Sequence, residues 1–253
     1  MILIFSDLDG CLLSHDDYSF AGAQQALDLI HQRKIPLILA SSKTESEMLE
    51  WAERIGDVDW IICENGGVIR HREQRFQPGR NRSEIVDILN RLSDRFQFRS
   101  YTEMGVPGVM EATGLSQEQA EKSSDRHTTE PLQWMDSDSK ITPFQQALET
   151  NGLTCTRGGR FWHIAGQVTK GTGMQFVIEQ LKKADSKVTT IALGDSPIDI
   201  PMLKLADYAV VIPNPRTQAL MSFDHKQRIV APYPGPGGWG AATLEILSKI
   251  PSS

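Results

Sequence analysis

The sequence predicts an α/β fold: a parallel-sheet core interrupted by an α+β insertion. Three observations carry this. Short apolar runs alternate with amphipathic helical stretches from residue 2 to about 67. That alternation gives way to mixed strands and helices between about 81 and 165, and then resumes. Polar residues fall directly after the apolar runs, at the ends where a parallel sheet places its ligands.

ILIF (2–5) is a short uninterrupted apolar run and reads as a buried strand. Residues 21–34 form an amphipathic helix with Ala26, Leu29 and Ile30 on one side, and IPLILA (35–40) is a second buried strand. The next helix spans 44–56: Thr44 caps it, Glu47 completes a capping box and Gly56 ends it. A third strand and a turn follow in DWIICENGG (59–67). Strands separated by helices make βαβ units, hence a parallel sheet. In the insertion, helices are expected over 83–96, from Ser116 onward and over 141–152. LQWMD reads as a strand, and CTRGGRFWHIAG as a turn and a strand. A helix over 170–183, a strand over 189–195, a short helix in PIDIPMLKLA and a strand over 208–213 restore the pattern. YPGPGGWG reads as a loop before a closing helix, AATLEILSKI. The predicted division is a Rossmann-like core of residues 1–80 and 166–253 and an α+β cap of residues 81–165.

With 40% hydrophobic and 23% charged residues the chain has an ordinary globular composition, and its net charge of −6 argues against nucleic acid as a partner. The densest cationic stretch, RHREQRFQPGRNR (70–82), reads as a solvated edge and loop. Cys11, Cys63 and Cys155 lie far apart and are odd in number, which excludes a zinc spacing or a disulfide framework and suits a reducing compartment. No stretch has the apolar length of a membrane helix, and MILIFSD lacks the pattern of a signal peptide, so the expected location is cytoplasmic. Oligomeric state is not legible.

Asp7 follows the first strand, Ser41 the second and Asp195 the strand over 189–195, which sets all three at one edge of the sheet. A carboxylate can attack phosphorus to give an aspartyl-phosphate. Mg²⁺ held by oxygen ligands offsets the repulsion between that carboxylate and the phosphate. A lysine and a hydroxyl can hold the remaining phosphoryl oxygens. A second carboxylate can protonate the leaving oxygen and later deprotonate water. Asp7, Asp9, Ser41, Lys170, Asp195 and Asp199 supply this set. Singly, each has an ordinary role: an Asp after a strand is often a turn residue, and GDSPID makes an Asx turn before a helix-opening Pro. Their joint occurrence, in order and at strand ends, carries the argument.

DLDGC, ASSK, Lys170 and GDSPID resemble, in order, the four motifs of the haloacid-dehalogenase-like phosphohydrolases, and an insertion between the second and third corresponds to a type-2 cap. The resemblance implies Asp7 as nucleophile and Asp9 as general acid/base, with Ser41 and Lys170 binding phosphate. It further implies Mg²⁺ on Asp7, the Asp9 backbone carbonyl and Asp195, with Asp199 supporting or ligating. SSKT, ENGG, TGLS, GGRFWH, GDSP and GPGGW are similar to strings of the mannosyl-3-phosphoglycerate phosphatases and their relatives. The implied substrate is a small phosphorylated sugar acid: mannosyl-3-phosphoglycerate, or alternatively glucosyl-3-phosphoglycerate or another sugar phosphate. A weakly active or non-catalytic sugar-phosphate binder is the remaining alternative. It is motivated by Ile198, which stands where the family usually has Asn, and the expected consequence is weaker activity. Cys11 replaces a usual Thr and is expected to be tolerated. A phospho-acceptor signalling domain shares the acceptor Asp but lacks a counterpart of Asp9 and of the insertion.

For the cap, Arg160 and His163 in GGRFWHI are the candidate readers of the sugar acid, with Glu130 as a further candidate. In a regular strand Arg160, Trp162 and Ile164 share one face and Phe161 and His163 the other, so both candidates face the site only if Arg160 lies in the turn or the strand is bulged.

Overall fold

The computed structural model describes residues 1–158, 161–182, 187–216 and 221–250. In chain order the elements are β1 (Ile2–Ser6), α1 (Gln24–Gln32), β2 (Leu37–Ala40), α2 (Glu45–Ile55), β3 (Trp60–Cys63), β4 (Val68–His71) and β5 (Gln74–Phe76). Next come α3 (Arg82–Leu92), β6 (Phe98–Ser100), α4 (Tyr101–Thr113), α5 (Gln117–Ser124), β7 (Thr129–Trp134), α6 (Ile141–Thr150), β8 (Thr154–Arg157) and β9 (Trp162–Ala165). The chain closes with α7 (Lys170–Leu181), β10 (Thr189–Gly194), α8 (Ile200–Leu205), β11 (Tyr208–Val211), β12 (Arg228–Val230) and α9 (Gly235–Lys249).

One sheet has the order β12-β11-β10-β1-β2-β3-β4-β5. Its strands from β12 to β3 run parallel, and β4 and β5 add an antiparallel edge. The apolar runs of β1, β2, β3 and β10 are buried on both faces, as a sheet covered by helices requires. Leu39, Ile61, Leu193 and Trp239 pack on one side, while Phe5, Ile38, Met174 and Val211 pack on the other. The second sheet, β6-β7-β9-β8, is antiparallel and shelters the aromatic cluster of Phe96, Phe144 and Trp134. From β1 the chain winds outward through β2 and β3, then returns to place β10 on β1's other side. The crevice beyond the ends of β1 and β10 is therefore the topological switch point.

The capping box of α2 forms as the sequence predicts, with Thr44 accepting from the Glu47 amide and Gly56 closing the helix. Among the segments that differ from expectation, CTRGGRFWHIAG supplies two strands, β8 and β9, rather than one. EMGVPGVMEATGLS lies largely in α4, where Gly105 (φ 58°) breaks the helical path and Pro107 falls just after the break, in a first turn that needs no proline N–H. GPGGWG is the first part of α9 rather than a loop. Pro236 suits a first helical turn, and the glycines serve close approach: a Cβ on Gly238 would sit 1.7 Å from the Tyr233 carbonyl oxygen. The arginine-rich stretch forms the β4–β5 edge, and its charges are taken up locally. Arg70 and Arg75 bind Glu45, Arg72 binds Asp59, Arg80 binds Glu84 and Arg82 binds Glu130. No helix among the described residues is long and apolar enough to cross a membrane.

The second sheet is tied to the first by Glu64, which is fully buried at the end of β3. Its carboxylate accepts from the amides of His127 and Thr128 at 2.8 and 3.0 Å and from the hydroxyls of Thr128 and Thr129 at 3.2 and 2.5 Å. Replacing it strands several buried donors at once. Glu64→Ala is expected to lower unfolding stability by about 3 kcal/mol in urea titration, and Glu64→Gln by less. An unchanged midpoint in Glu64→Ala would show that the tie contributes nothing.

Candidate active site

β1 delivers Asp7 to the switch point, with the Asp7 amide bonded to the Leu193 carbonyl at 2.9 Å. The strand end is fixed from behind: Trp239 donates to Ser6 Oγ at 2.8 Å, and Ser6 Oγ donates to the Asp7 carbonyl at 2.7 Å. The turn after Asp9 needs Gly10, whose φ is 80° and whose Cβ, if present, would collide with His15 and with Asp195.

α7 opens with a capping box on Thr169 that fixes Lys170 at its first position. Lys170 is 1% exposed, and its Nζ bridges Asp7 Oδ1 at 2.5 Å and Asp199 Oδ1 at 2.6 Å. Asp199 Oδ2 in turn accepts from the amides of Asp195 and Ser196 and from Ser196 Oγ, which locks the GDSPID turn. Asp195 Oδ2 accepts from Asn214 at 2.6 Å and has His15 Nε2 at 3.5 Å.

Burial pushes the Asp7 carboxyl well above the ordinary aspartate range; Lys170 opposes this, while Asp199, Asp195 and Asp9 reinforce it. Asp195 is pushed up to about 7, first by burial and then by Asp199, with Lys170 and Asn214 opposing. Burial works against the charge of Lys170, but Asp199 and Asp7 outweigh it and hold the ammonium above the ordinary lysine range. Asp7, Asp195 and Asp199 each offer an oxygen to a set lying within 4.8 Å of one another, all three residues being buried. An all-carboxylate set crowded beyond what one lysine neutralises suits a hard divalent cation such as Mg²⁺. Asp7 Oδ2, Asp195 Oδ1 and the Asp9 carbonyl accept no hydrogen bond from the described residues, so these would hold it. Both oxygens of Asp199 already accept hydrogen bonds, so beside such an ion it would chiefly orient Lys170 and Asp195.

Ser41 is buried after β2, its amide bonded to Ile62 and its carbonyl to the Asn65 amide. Asp9 is more open, and its Oδ2 pairs with Lys43 Nζ at 3.0 Å. The cap candidates fare differently. Glu130 is fully buried with one oxygen on Arg82 at 2.5 Å and the other on the Thr102 amide at 2.7 Å, so its carboxylate braces the cap. His163 faces away from Trp162 and Ile164, and burial with Arg126 nearby pushes its pKa down to about 3. Among the described residues its buried Nδ1 has no hydrogen-bond partner. Arg160 lies outside the described residues.

Four neighbours of the site escaped the reading of the sequence. Asn214 follows β11 at the same edge of the sheet, and extending the strand-end rule to that strand finds it. Lys43 stands inside the ASSK string. His15 reaches Asp195 only through a turn, and Arg126 reaches the Ser42 carbonyl at 3.2 Å from the loop between α5 and β7; neither has a local sequence signal.

A buried aspartate cluster with a bridging lysine at the switch point of a capped parallel sheet defines a phosphoryl-handling enzyme of the α/β class. Residues 4–225 match the family model of the haloacid dehalogenase-like hydrolases, and the chain belongs to that family. It is 32% identical over 266 residues to a glucosyl-3-phosphoglycerate/mannosyl-3-phosphoglycerate phosphatase of Persephonella marina, covering 98% of each chain. A phosphatase of the same description from Methanococcoides burtonii is 30% identical over 270 residues, covering 98% of this chain and 97% of its own. Among solved structures, a subclass IIB sugar phosphatase of the superfamily superposes with a TM-score of 0.68 at 16% identity, over 98% of this chain and 99% of that one. The protein is accordingly a phosphoric monoester hydrolase.

The cluster predicts a pH effect. The folded pKa of Asp195 is raised, so its protonated form stabilises the fold. That contribution is complete below the ordinary value of 3.8 and is lost as pH rises through about 7. Metal-free protein should therefore lose denaturant stability across this interval, and Asp195→Asn should flatten the loss. A wild-type profile as flat as the variant's would contradict the assignment.

Proposed function

We propose that the protein is a Mg²⁺-dependent phosphatase that works through an aspartyl-phosphate on Asp7 and hydrolyses mannosyl-3-phosphoglycerate to mannosylglycerate, a compatible solute, and phosphate. The observation that carries the chemistry is Lys170 buried between Asp7 and Asp199 beside Asp195. The substrate is argued from the two relatives covering nearly the whole chain, whose descriptions include both glucosyl- and mannosyl-3-phosphoglycerate. The glucosyl substrate is therefore the second reading. A cytoplasmic role follows from a small phosphorylated substrate and free cysteines, Cys11 and Cys63 being buried.

In this mechanism Mg²⁺, when bound, neutralises carboxylate and phosphate charge and polarises the phosphoryl group. Asp7 attacks phosphorus, and the bond to the ester oxygen breaks as Asp9 gives that oxygen a proton. Lys170 and the Ser41 hydroxyl hold the equatorial oxygens, whose charge is greatest as the bond changes hands. Asp9 then takes a proton from water, which attacks the aspartyl-phosphate and releases phosphate. The cap lies close enough to restrict bulk water: Thr44 Oγ1 donates to the Lys122 carbonyl at 2.8 Å, and Ser46 to Asp125 at 2.5 Å. Ile198 does not leave Lys170 unsupported, because the two carboxylates grip it directly.

The test is phosphate release with Mg²⁺ from mannosyl-3-phosphoglycerate, glucosyl-3-phosphoglycerate and hexose phosphates. One glycosyl-phosphoglycerate should be preferred, with turnover abolished in folded Asp7→Asn. Full activity in that variant would sink the assignment. Lys170→Ala should raise KM and cut kcat by about a hundredfold or more, as loss of a transition-state charge contact does. Ile198→Asn should keep or raise kcat.

A further inference from the structure

We propose that Lys43 is a specificity-determining residue that positions Asp9 and binds a carboxylate on the leaving-group side of the substrate. The inference rests on the phosphatase reading above and names the group that recognises the hydroxy-acid part of the substrate.

Lys43 is held at both ends of its peptide unit. Its amide donates to Ser41 Oγ at 3.3 Å, and its carbonyl accepts from the Glu64 amide at 2.8 Å. The loop that carries the phosphate-side serine thus also aims this ammonium. The side chain is only 16% exposed and extends to Asp9 Oδ2, with Nζ 5.6 Å from the centre of the Tyr18 ring. Burial works against its charge, but Asp9 and Glu47 outweigh burial and keep it protonated.

The two lysines of the site differ in what they have left to give. Lys170 is enclosed, with a carboxylate on either side. Lys43 has three N–H donors and, among the described residues, one ion-pair partner, Asp9. Asp9 is itself 34% exposed along its side chain, so the pair stands at the open side of the crevice. If Asp9 protonates the ester oxygen, Lys43 is one residue further out along the leaving group. A carboxylate two carbons from that oxygen, as in a phosphorylated glycerate, falls on this side. A neutral polyol offers no anion there, so a largely buried ammonium would be left facing hydroxyls. Binding the carboxylate also keeps Lys43 against Asp9, which couples recognition of the leaving group to placement of its acid.

The experiment compares 3-phosphoglycerate with glycerol 3-phosphate, which share a skeleton and differ by the carboxylate. Phosphate release with Mg²⁺ is measured for wild type, Lys43→Arg, Lys43→Gln and Lys43→Met. Binding of both compounds is measured by calorimetry to Asp7→Asn, with and without Lys43→Met. Wild type should prefer 3-phosphoglycerate by about tenfold or more in kcat/KM, the worth of a charged hydrogen bond. Lys43→Met and Lys43→Gln should bring the ratio close to one, chiefly through KM for 3-phosphoglycerate, and Lys43→Arg should retain part of it. The same loss of preference should appear in binding. A preference that survives both neutral substitutions, or that wild type never shows, overturns the proposal. Lys43-dependent binding without phosphate release would overturn the phosphatase reading and leave Lys43 as the carboxylate contact. Should Lys43→Met fail to fold, the contrast between Lys43→Arg and Lys43→Gln decides.

Discussion

The buried ammonium of Lys170 between Asp7 and Asp199 is the interaction on which the rest of the site depends. Isolated carboxylates in a dry crevice would be held by repulsion and desolvation in their neutral form. One lysine relieves part of that cost and leaves a remainder, visible in the raised pKa values of Asp7 and Asp195. That remainder would favour a divalent cation at the cluster. A full complement of lysines would have stabilised the apoprotein and removed the reason to bind one. Holding the cluster together takes a second layer: Ser6 and Trp239 behind Asp7, the Ser196 turn around Asp199, and Asn214 beside Asp195.

α5 and the segment that leads into β7 meet this centre through the loop after β2. Ser41 Oγ accepts from the Lys43 amide and Lys43 reaches Asp9, while Ser42 accepts from Arg126 and Thr44 donates to the Lys122 carbonyl. The stretch that carries Ser41 and Lys43 is therefore the stretch that bonds to α5 and to the segment before β7. Glu64 closes the arrangement by holding the Lys43 carbonyl with its amide and the 127–129 segment with its carboxylate. Glu64 and Asn65 both take left-handed backbone conformations, at φ 49° and 57°, a local cost sustained by the bonds around them.

The fold class was legible because buried parallel strands leave uninterrupted apolar runs, and those of β1, β2, β3 and β10 appear within a residue or two of their place. The capping box at Thr44 marked its helix by a local signal, and the helix expected from Ser116 onward opens there, on a capping box that the structure adds. The helical start of α9 was not legible, because its glycines answer to the Tyr233 carbonyl and the 21–23 segment, which are distant or outside the helix pattern. In the site, Asp7, Ser41 and Asp195 announced themselves as polar residues at strand ends. Lys43 and Arg126 did not, since an ammonium or guanidinium on a loop looks solvated until its partners are known. Glu130 shows the converse: a carboxylate that suggested substrate binding spends both oxygens inside the cap.

The most direct test is calorimetric titration of Mg²⁺ into metal-free protein near pH 7, in two buffers of different ionisation enthalpy. Because burial pushes the Asp195 carboxyl up to about 7 and holds that of Asp7 above the ordinary range, binding should displace protons. The account predicts one site with measurable proton release, reduced in Asp195→Asn. Binding with no proton release, or no binding, would contradict the claim that an under-neutralised carboxylate cluster organises this site.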